Sequence, residues 1–512
     1  MTSVRIALAQ VHPVVGDFSA NAHAILAAAR AASAENADLV IFPTGALAGP
    51  ALRDLEYRHD FADALADATL ELAERAASLE HAPMLILHEP ALGDGFVQLL
   101  DGQMGVSDGV LETDAGSLTL RAGAESAVPA IDPDHIAVIV LDQSPFWTGH
   151  ETEREHLLAS LTLTSGLPVL YTNLVGGADA YVYDGGAQAR DGWGHLVGRA
   201  EDFAPEVLIV DVYSDGQVIC AADPAPLAPL AERIYRALVV GLRDYLAANG
   251  FTRVALGLSG GIDSALVATI AADAIGGANV IGVSMPSRYS SEHSRSDAEL
   301  SAERIGADYR VQEIAPMFAA FETEMDLSGV AEENLQARIR GQILMAISNS
   351  EGPLVLATGN RTEVAVGYST IYGDSVGGFA PIADVPKTLV WELARWRNAH
   401  AAERGEAKPI PENSITKPPS AELRPDQKDS DSLPDYPVLD AILAGFIDEG
   451  KSREQLLRDG FEGETVDRVI ALVRGAEWKR GQLALGPKIS RVTFGIDRNV
   501  PVVNAFTFRS EQ

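Results

Sequence analysis

Seven residues near the middle of the chain, Leu258, Ser259, Gly260, Gly261, Ile262, Asp263 and Ser264, constrain the fold more than any other stretch. They follow an apolar run of strand length, Val254 to Leu258, and lead into a helical run, Ser264 to Ala274. A strand that passes through two glycines directly into a helix belongs to an α/β unit in which strand C-termini and helix N-termini meet at one edge of a parallel sheet. Adjacent glycines let the backbone approach a pyrophosphate, the helix start offers free N–H groups, and the hydroxyls of Ser259 and Ser264 add donors. Asp263 faces a phosphate only across a cation, which points to Mg2+. No lysine lies here and GxxxxGK[ST] is not matched, so this is not a Walker A loop. The bland reading of the glycine pair alone is a turn capped by Asp263.

The same alternation continues downstream. It predicts a strand over Val280 to Met285, a helix over Asp297 to Gly306, a strand near Tyr309 to Ile314, a helix over Ala331 to Ser348 and a strand over Pro353 to Ala357. That order implies a doubly wound parallel sheet. Lys408 to Pro437, rich in Pro, Asp and Ser, reads as a long loop able to act as a lid. Short helices over Pro437 to Glu449, Arg453 to Asp459 and Glu464 to Gly475, then a basic tail from Lys479 to Arg498, complete this half. The first half is α/β as well, with strands over Arg5 to Ala9, Asp38 to Phe42, Pro83 to Leu87, His135 to Leu141, Pro168 to Tyr171 and Val207 to Val212, and helices over Ala20 to Ala34 and Phe61 to Leu79. Three prolines between Ala221 and Leu230 mark a linker, which gives domains 1–222 and 234–512 joined by 223–233.

Charge and composition exclude several function classes. The chain carries 72 acidic against 39 basic side chains, so it is read as binding neither nucleic acid nor an anionic membrane surface. The one cysteine, Cys220, excludes a disulfide framework. No apolar run nears the roughly 20 residues of a membrane span and no signal peptide is evident, so a cytoplasmic protein is expected. Lysine is absent before Lys387, the first of seven.

SGGIDS resembles the pyrophosphatase loop of the N-type ATP pyrophosphatases. With it come MPSRYSSEHSRSDA (Met285 to Ala298), ENLQARIR (Glu333 to Arg340), ATGNRTEVAVGYSTIYGD (Ala357 to Asp374), TKPPSAELRPDQKDSDSLPDYPVLDAIL (Thr416 to Leu443) and KRGQLALGPKIS (Lys479 to Ser490). Together these are similar to NAD synthetase. The resemblance implies that deamido-NAD is adenylated by ATP with release of pyrophosphate, and that ammonia then displaces AMP. It further implies that Gly257, Leu258, Ser259, Gly260, Gly261, Ile262, Asp263 and Ser264 hold ATP together with Thr358 and Lys387. Asp263 and Glu363 would be the Mg2+ pair. Asn334, Arg338, Glu363, Asp374 and Lys479 would meet deamido-NAD, and Asp263 and Lys417 would serve the reacting groups. Asn334 and Arg338, four apart, share one helix face. A homodimer or larger homo-oligomer is implied.

In the first half, Ile6 to Pro43 and Thr172 to Ala187 resemble a nitrilase-type amidase, an αββα sandwich whose chemistry needs a Cys nucleophile, a Glu base and a Lys at the oxyanion. Phe42-Pro43-Thr44 stands where that family reads FPE, no lysine is available, and the segment that should carry the cysteine is shortened to His135–Gly149. The expectation is therefore a degenerate amidase domain serving as scaffold, Cys220 idle beyond the last strand, and ammonia as nitrogen donor. The alternatives are glutamine use through a partner glutaminase or another nucleophile, a different ATP-pyrophosphatase enzyme such as a tRNA-modifying one, and a non-catalytic regulator.

Overall fold

The computed structural model describes residues 2–123, 131–420, 422–424 and 427–504. The chain divides into two compact units, Met1–Pro229 and Leu230–Gln512. Three residues of the loop read from Lys408 to Pro437, namely 421, 425 and 426, lie outside the described residues.

The first unit contains β1 (Ser3–Gln10), α1 (Phe18–Ala34), β2 (Leu39–Thr44), α2 (His59–Ala76), β3 (Met84–His88), β4 (Phe96–Leu100), β5 (Gln103–Ser107), β6 (Val110–Thr113), β7 (Gly116–Ala122), β8 (Ala137–Leu141), α3 (His150–Ser165), β9 (Val169–Thr172), β10 (Val175–Ala178), β11 (Tyr181–Asp184), β12 (Gln188–Arg190), β13 (Leu196–Arg199), β14 (Glu206–Tyr213) and β15 (Val218–Cys220). Seven strands form one sheet in the order β15-β14-β1-β2-β3-β4-β5, and six form another, β13-β12-β9-β8-β7-β6. Strand periodicity builds the layers. Ala7 and Ala9 of β1 pack under α1 and α2, whereas Ile6 and Leu8 meet Leu118, Ile139 and Leu170 of the second sheet. Val138 and Val140 of β8 face α3. The result is a nitrilase-like α-β-β-α sandwich. The strands β4 to β7 and the helix α3 escape the sequence reading: the former are short and partly exposed, and α3 is largely polar. Cys220 does not lie past the last strand, as expected, but ends the edge strand β15, whose three residues are too few to show a period.

The second unit contains α4 (Leu230–Ala248), β16 (Val254–Gly257), α5 (Ile262–Ile275), β17 (Val280–Ser284), α6 (Glu292–Ile305), β18 (Asp308–Val311), α7 (Ala315–Glu324), α8 (Val330–Glu351), β19 (Leu354–Val355), α9 (Arg361–Val366), α10 (Lys387–Glu403), α11 (Glu412–Thr416), α12 (Tyr436–Leu443), α13 (Arg453–Arg458), α14 (Gly463–Gly475) and α15 (Glu477–Arg480). Its sheet is parallel, in the order β18-β17-β16-β19. Ala255, Ile281 and Val283 pack against Ile339, Ile343 and Leu344 of α8. Three expectations are corrected. Helix α5 starts at Ile262, so Ile262, Asp263 and Ser264 form its first turn instead of belonging to the loop. The stretch from Lys408 to Pro437 is not structureless, because it contains α11 and a 3-10 turn at Asp429–Asp431. The helix read over Pro437 to Glu449 begins at Tyr436 and widens into a π turn over Ala444–Asp448. Among the described residues no helix is long and apolar enough to cross a membrane.

Candidate active site

Strand β16 delivers the chain to the C-terminal edge of the parallel sheet, where four residues turn it into α5. Gly260 has φ +77°, and a Cβ there would lie 2.2 Å from the carbonyl oxygen of Ser294 at the start of α6. Close approach of α6 therefore demands this glycine. The Ser259 hydroxyl accepts from the Gly261 N–H at 3.2 Å, and the Ser264 hydroxyl donates to the Gly261 carbonyl at 3.1 Å. No side chain caps the start of α5, which leaves its first-turn N–H groups directed at whatever fills the cavity in front of them.

That cavity has a volume of about 330 Å³. Gly257, Leu258, Ser259, Gly261, Ile262, Asp263 and Ser264 line it, as do Thr358, Glu363, Asp374, Lys387 and Lys417. Gly260, Asn334, Arg338 and Lys479 do not, and each has a visible reason. Gly260 is covered by α6. Asn334 accepts from the Thr370 hydroxyl at 2.6 Å, the exposed Arg338 donates through Nε to the Ile371 carbonyl at 3.3 Å, and Lys479 Nζ donates to the Gly367 and Ser369 carbonyls at 2.8 and 2.9 Å. All three grip the segment 367–374, whose last residue, Asp374, reaches the cavity. Burial pushes the Asp374 carboxyl up.

A charged knot occupies the end of the cavity beside α5. Lys387, 1% exposed, pairs with Asp263 and lies 3.9 Å from Glu363. Burial alone would lower the Lys387 ammonium, but Asp263 and Glu363 hold it above its ordinary value. Asn360 caps α9 reciprocally with Glu363, accepting the Glu363 N–H at 3.0 Å while its own N–H reaches Glu363 Oε2 at 3.1 Å. Its side-chain amide also donates to Asp263 at 3.0 Å, so one residue aims both carboxylates. Burial, and then the charge of Asp263, pushes the Glu363 carboxyl up to about 8, against the pull of Lys387. Asp429 accepts from the Tyr436 hydroxyl at 2.7 Å and also lines the cavity. Two further cavity residues escape the sequence reading. Arg340 donates to the Met285 carbonyl at 2.9 Å and is lowered to about 10 by burial; Ser294 is 3% exposed. Asn360, three residues before Glu363, carries a capping signal that the sequence reading passed over, whereas Arg340 carries no signal that separates it from Arg338.

In the first unit Thr44 ends β2, 7% exposed, with its hydroxyl 3.1 Å from His88 Nδ1 and donating to the Leu141 carbonyl at 3.0 Å. Ser144 donates to Asp142 at 2.6 Å, and Tyr171 donates to the same carboxylate at 2.9 Å. Arg154 and Asp184 form a buried ion pair at 3.0 Å. Cys220 lies three strands from β2, roughly 14 Å away at the usual strand spacing, and burial pushes its thiol up to about 11.

A family model described as NAD synthase matches residues 234–483. A protein of Acinetobacter baylyi named glutamine-dependent NAD(+) synthetase is 38% identical over 99% of both chains, and one of the same name from Rhodobacter capsulatus is 40% identical over 99% of both. The chain belongs to the NAD synthase family. A solved glutamine-dependent NAD+ synthetase from Acinetobacter baumannii, in complex with ADP, superposes with a TM-score of 0.73 at 32% identity, covering 99% of this chain and 100% of that one. The carboxylate-lysine knot lies at the end of the cavity beside the uncapped start of α5. The relatives that match along their whole length are named for glutamine, which does not support reading the first unit as a relic.

Proposed function

We propose that this NAD synthase adenylates the nicotinate carboxylate of deamido-NAD with ATP in the cavity at the start of α5. The carboxylate oxygen attacks the α-phosphorus, pyrophosphate leaves, and ammonia then displaces AMP from the acyl carbon to give the amide and a proton. Carboxylate and ammonia form a stable salt at neutral pH, so a leaving group has to be made first. One observation carries the reading: Asp263, Glu363 and Lys387 converge within one cavity on the uncapped helix start. Lys387 neutralises phosphate charge, the α5 amides orient the polyphosphate, and Lys417 approaches from the loop. The donor set fits Mg2+, because Asp263 and Glu363 offer only hard oxygens, and a bound cation would favour the charged form of the Glu363 carboxyl that burial disfavours; water and phosphate oxygens would complete the shell. Mg2+, when bound, supplies charge neutralisation on the phosphates. Asn334, Arg338 and Lys479 serve deamido-NAD by holding the segment that carries Asp374, and the chain works as a homodimer or larger ring in the cytoplasm.

For the nitrogen donor we propose ammonia. Support comes from the residue set of the first unit: no lysine, Thr44 in the place of a Glu base, and Cys220 on an edge strand with its thiol raised. The names of the full-length relatives favour a second reading, in which glutamine is used. Purified chain with deamido-NAD, ATP and Mg2+ should form NAD, AMP and pyrophosphate with ammonium and negligible NAD with glutamine. Efficient glutamine-driven synthesis would overturn the ammonia reading alone, and no NAD from either source would overturn the whole assignment.

A further inference from the structure

Lys417, Pro418, Pro419, Ser420, Glu422 and Leu423 form one wall of the cavity, so the loop that carries Lys417 is part of the site itself. Glu422 in this loop has φ +48°, a conformation that non-glycine residues adopt rarely unless contacts hold it. The contacts are specific. Glu422 Oε1 accepts the Ser294 hydroxyl at 2.6 Å and lies 3.0 Å from the Ser291 hydroxyl. Ser291 is the N-cap of α6, accepting the Ser294 N–H at 3.2 Å. Lys417 Nζ donates to the same Ser294 hydroxyl at 3.0 Å, so one buried serine gives its proton to Glu422 and its lone pair to Lys417. Ser294 is also the residue whose backbone packs onto Gly260. Two outer bonds brace the strap: Gln336 Nε2 donates to the Leu423 carbonyl at 3.0 Å, and the Ser414 hydroxyl donates to the Gly260 carbonyl at 3.0 Å.

We propose that Glu422 is a positioning residue that latches this loop onto the start of α6. Through Ser294 it fixes Lys417 and ties the loop to the phosphate-binding turn, which keeps water from the activated acyl group until ammonia arrives. The inference rests on the adenylation reading given above. Without the latch the acyl-adenylate loses AMP to water, regenerating deamido-NAD, and ATP is consumed without product.

Two readouts on the full-length chain test this. Hydrogen exchange of peptides spanning 412–424 reports on the loop independently of any chemistry. Glu422→Ala should exchange there about tenfold faster than wild type while α5 is unchanged. The ratio of AMP released to NAD formed, at limiting ammonium, should rise well above one in Glu422→Ala and return towards one in Glu422→Gln, whose amide oxygen still accepts the Ser294 proton. Ser294→Ala should raise the ratio too, and the double variant should be no worse than the poorer single one. Unchanged exchange in Glu422→Ala, a ratio that stays at one, or equal uncoupling in Glu422→Gln would each overturn the latch. A wild-type chain that makes no NAD would overturn the adenylation reading, and the exchange comparison would still decide whether Glu422 holds the loop.

Discussion

Asp263 and Glu363 meet at a lysine that a short chain of hydrogen bonds places, and each carboxylate has a distinct local job. Asp263→Asn keeps the shape but loses the charge that pairs with Lys387, and Glu363→Gln does the same on the other side. Each should lower kcat/KM for NAD formation by about 100-fold or more, with the melting temperature little changed, because groups that act as a unit lose most of their effect when one is removed. Wild-type kinetics in either variant would remove that residue from the proposed metal and ATP site. Gly260 differs in kind. A methyl group there would meet a backbone carbonyl at 2.2 Å in a left-handed conformation, so Gly260→Ala should cost on the order of 2 kcal/mol of stability and lower activity along with it. A chemical melt indistinguishable from wild type would show that α6 yields more easily than its packing implies.

Helix starts and strand ends carry most of the polar residues that matter here, and most of those were readable. The strand-turn-helix around SGGIDS and the apolar central strands of the sheets follow from local periodicity, while the capping pattern from Asn360 to Glu363 is a local signal that was passed over. The short strands β4 to β7, the polar helix α3 and the turns inside the loop were not readable, because their stability comes from partners distant in the chain and not from a period. Glu89, just past β3, belongs with them. It is 1% exposed, accepts from the Leu47 and Ala48 N–H groups at 2.7 and 3.1 Å, and burial pushes it from its ordinary 4.5 up to about 7. A carboxyl raised on folding contributes stability that is present below about pH 4.5 and lost as pH climbs towards 7, a span worth on the order of 3 kcal/mol. The contribution of Glu89 to the melting temperature should therefore fall between about pH 4.5 and 7, and Glu89→Gln should flatten that part of the curve. An unchanged slope in the variant would place the charge of Glu89 outside the pH response.

At the scale of the whole molecule, the first unit is a nitrilase-like sandwich that has no lysine but keeps one cysteine, Cys220, and a buried glutamate, Glu89. Cys220→Ser should leave NAD formation from ammonium unchanged, and glutamine-dependent synthesis abolished by that substitution would show Cys220 to be a working nucleophile. Light scattering at micromolar concentration should find a homodimer or larger closed assembly, and a fully active monomer would overturn that expectation. The sequence by itself determined the two α/β halves, the strand-turn-helix around SGGIDS and the absence of lysine from the first half, since these depend on composition, periodicity and residues adjacent in the chain. Only the tertiary structure decided that Asn334, Arg338 and Lys479 grip the segment before Asp374, that Arg340 and not Arg338 faces the cavity, and that Ser294 and Glu422 fasten the loop to α6. Those relations join residues tens to more than a hundred positions apart, and hydrogen bonding of that kind follows from where the packed elements bring side chains, which no local pattern encodes.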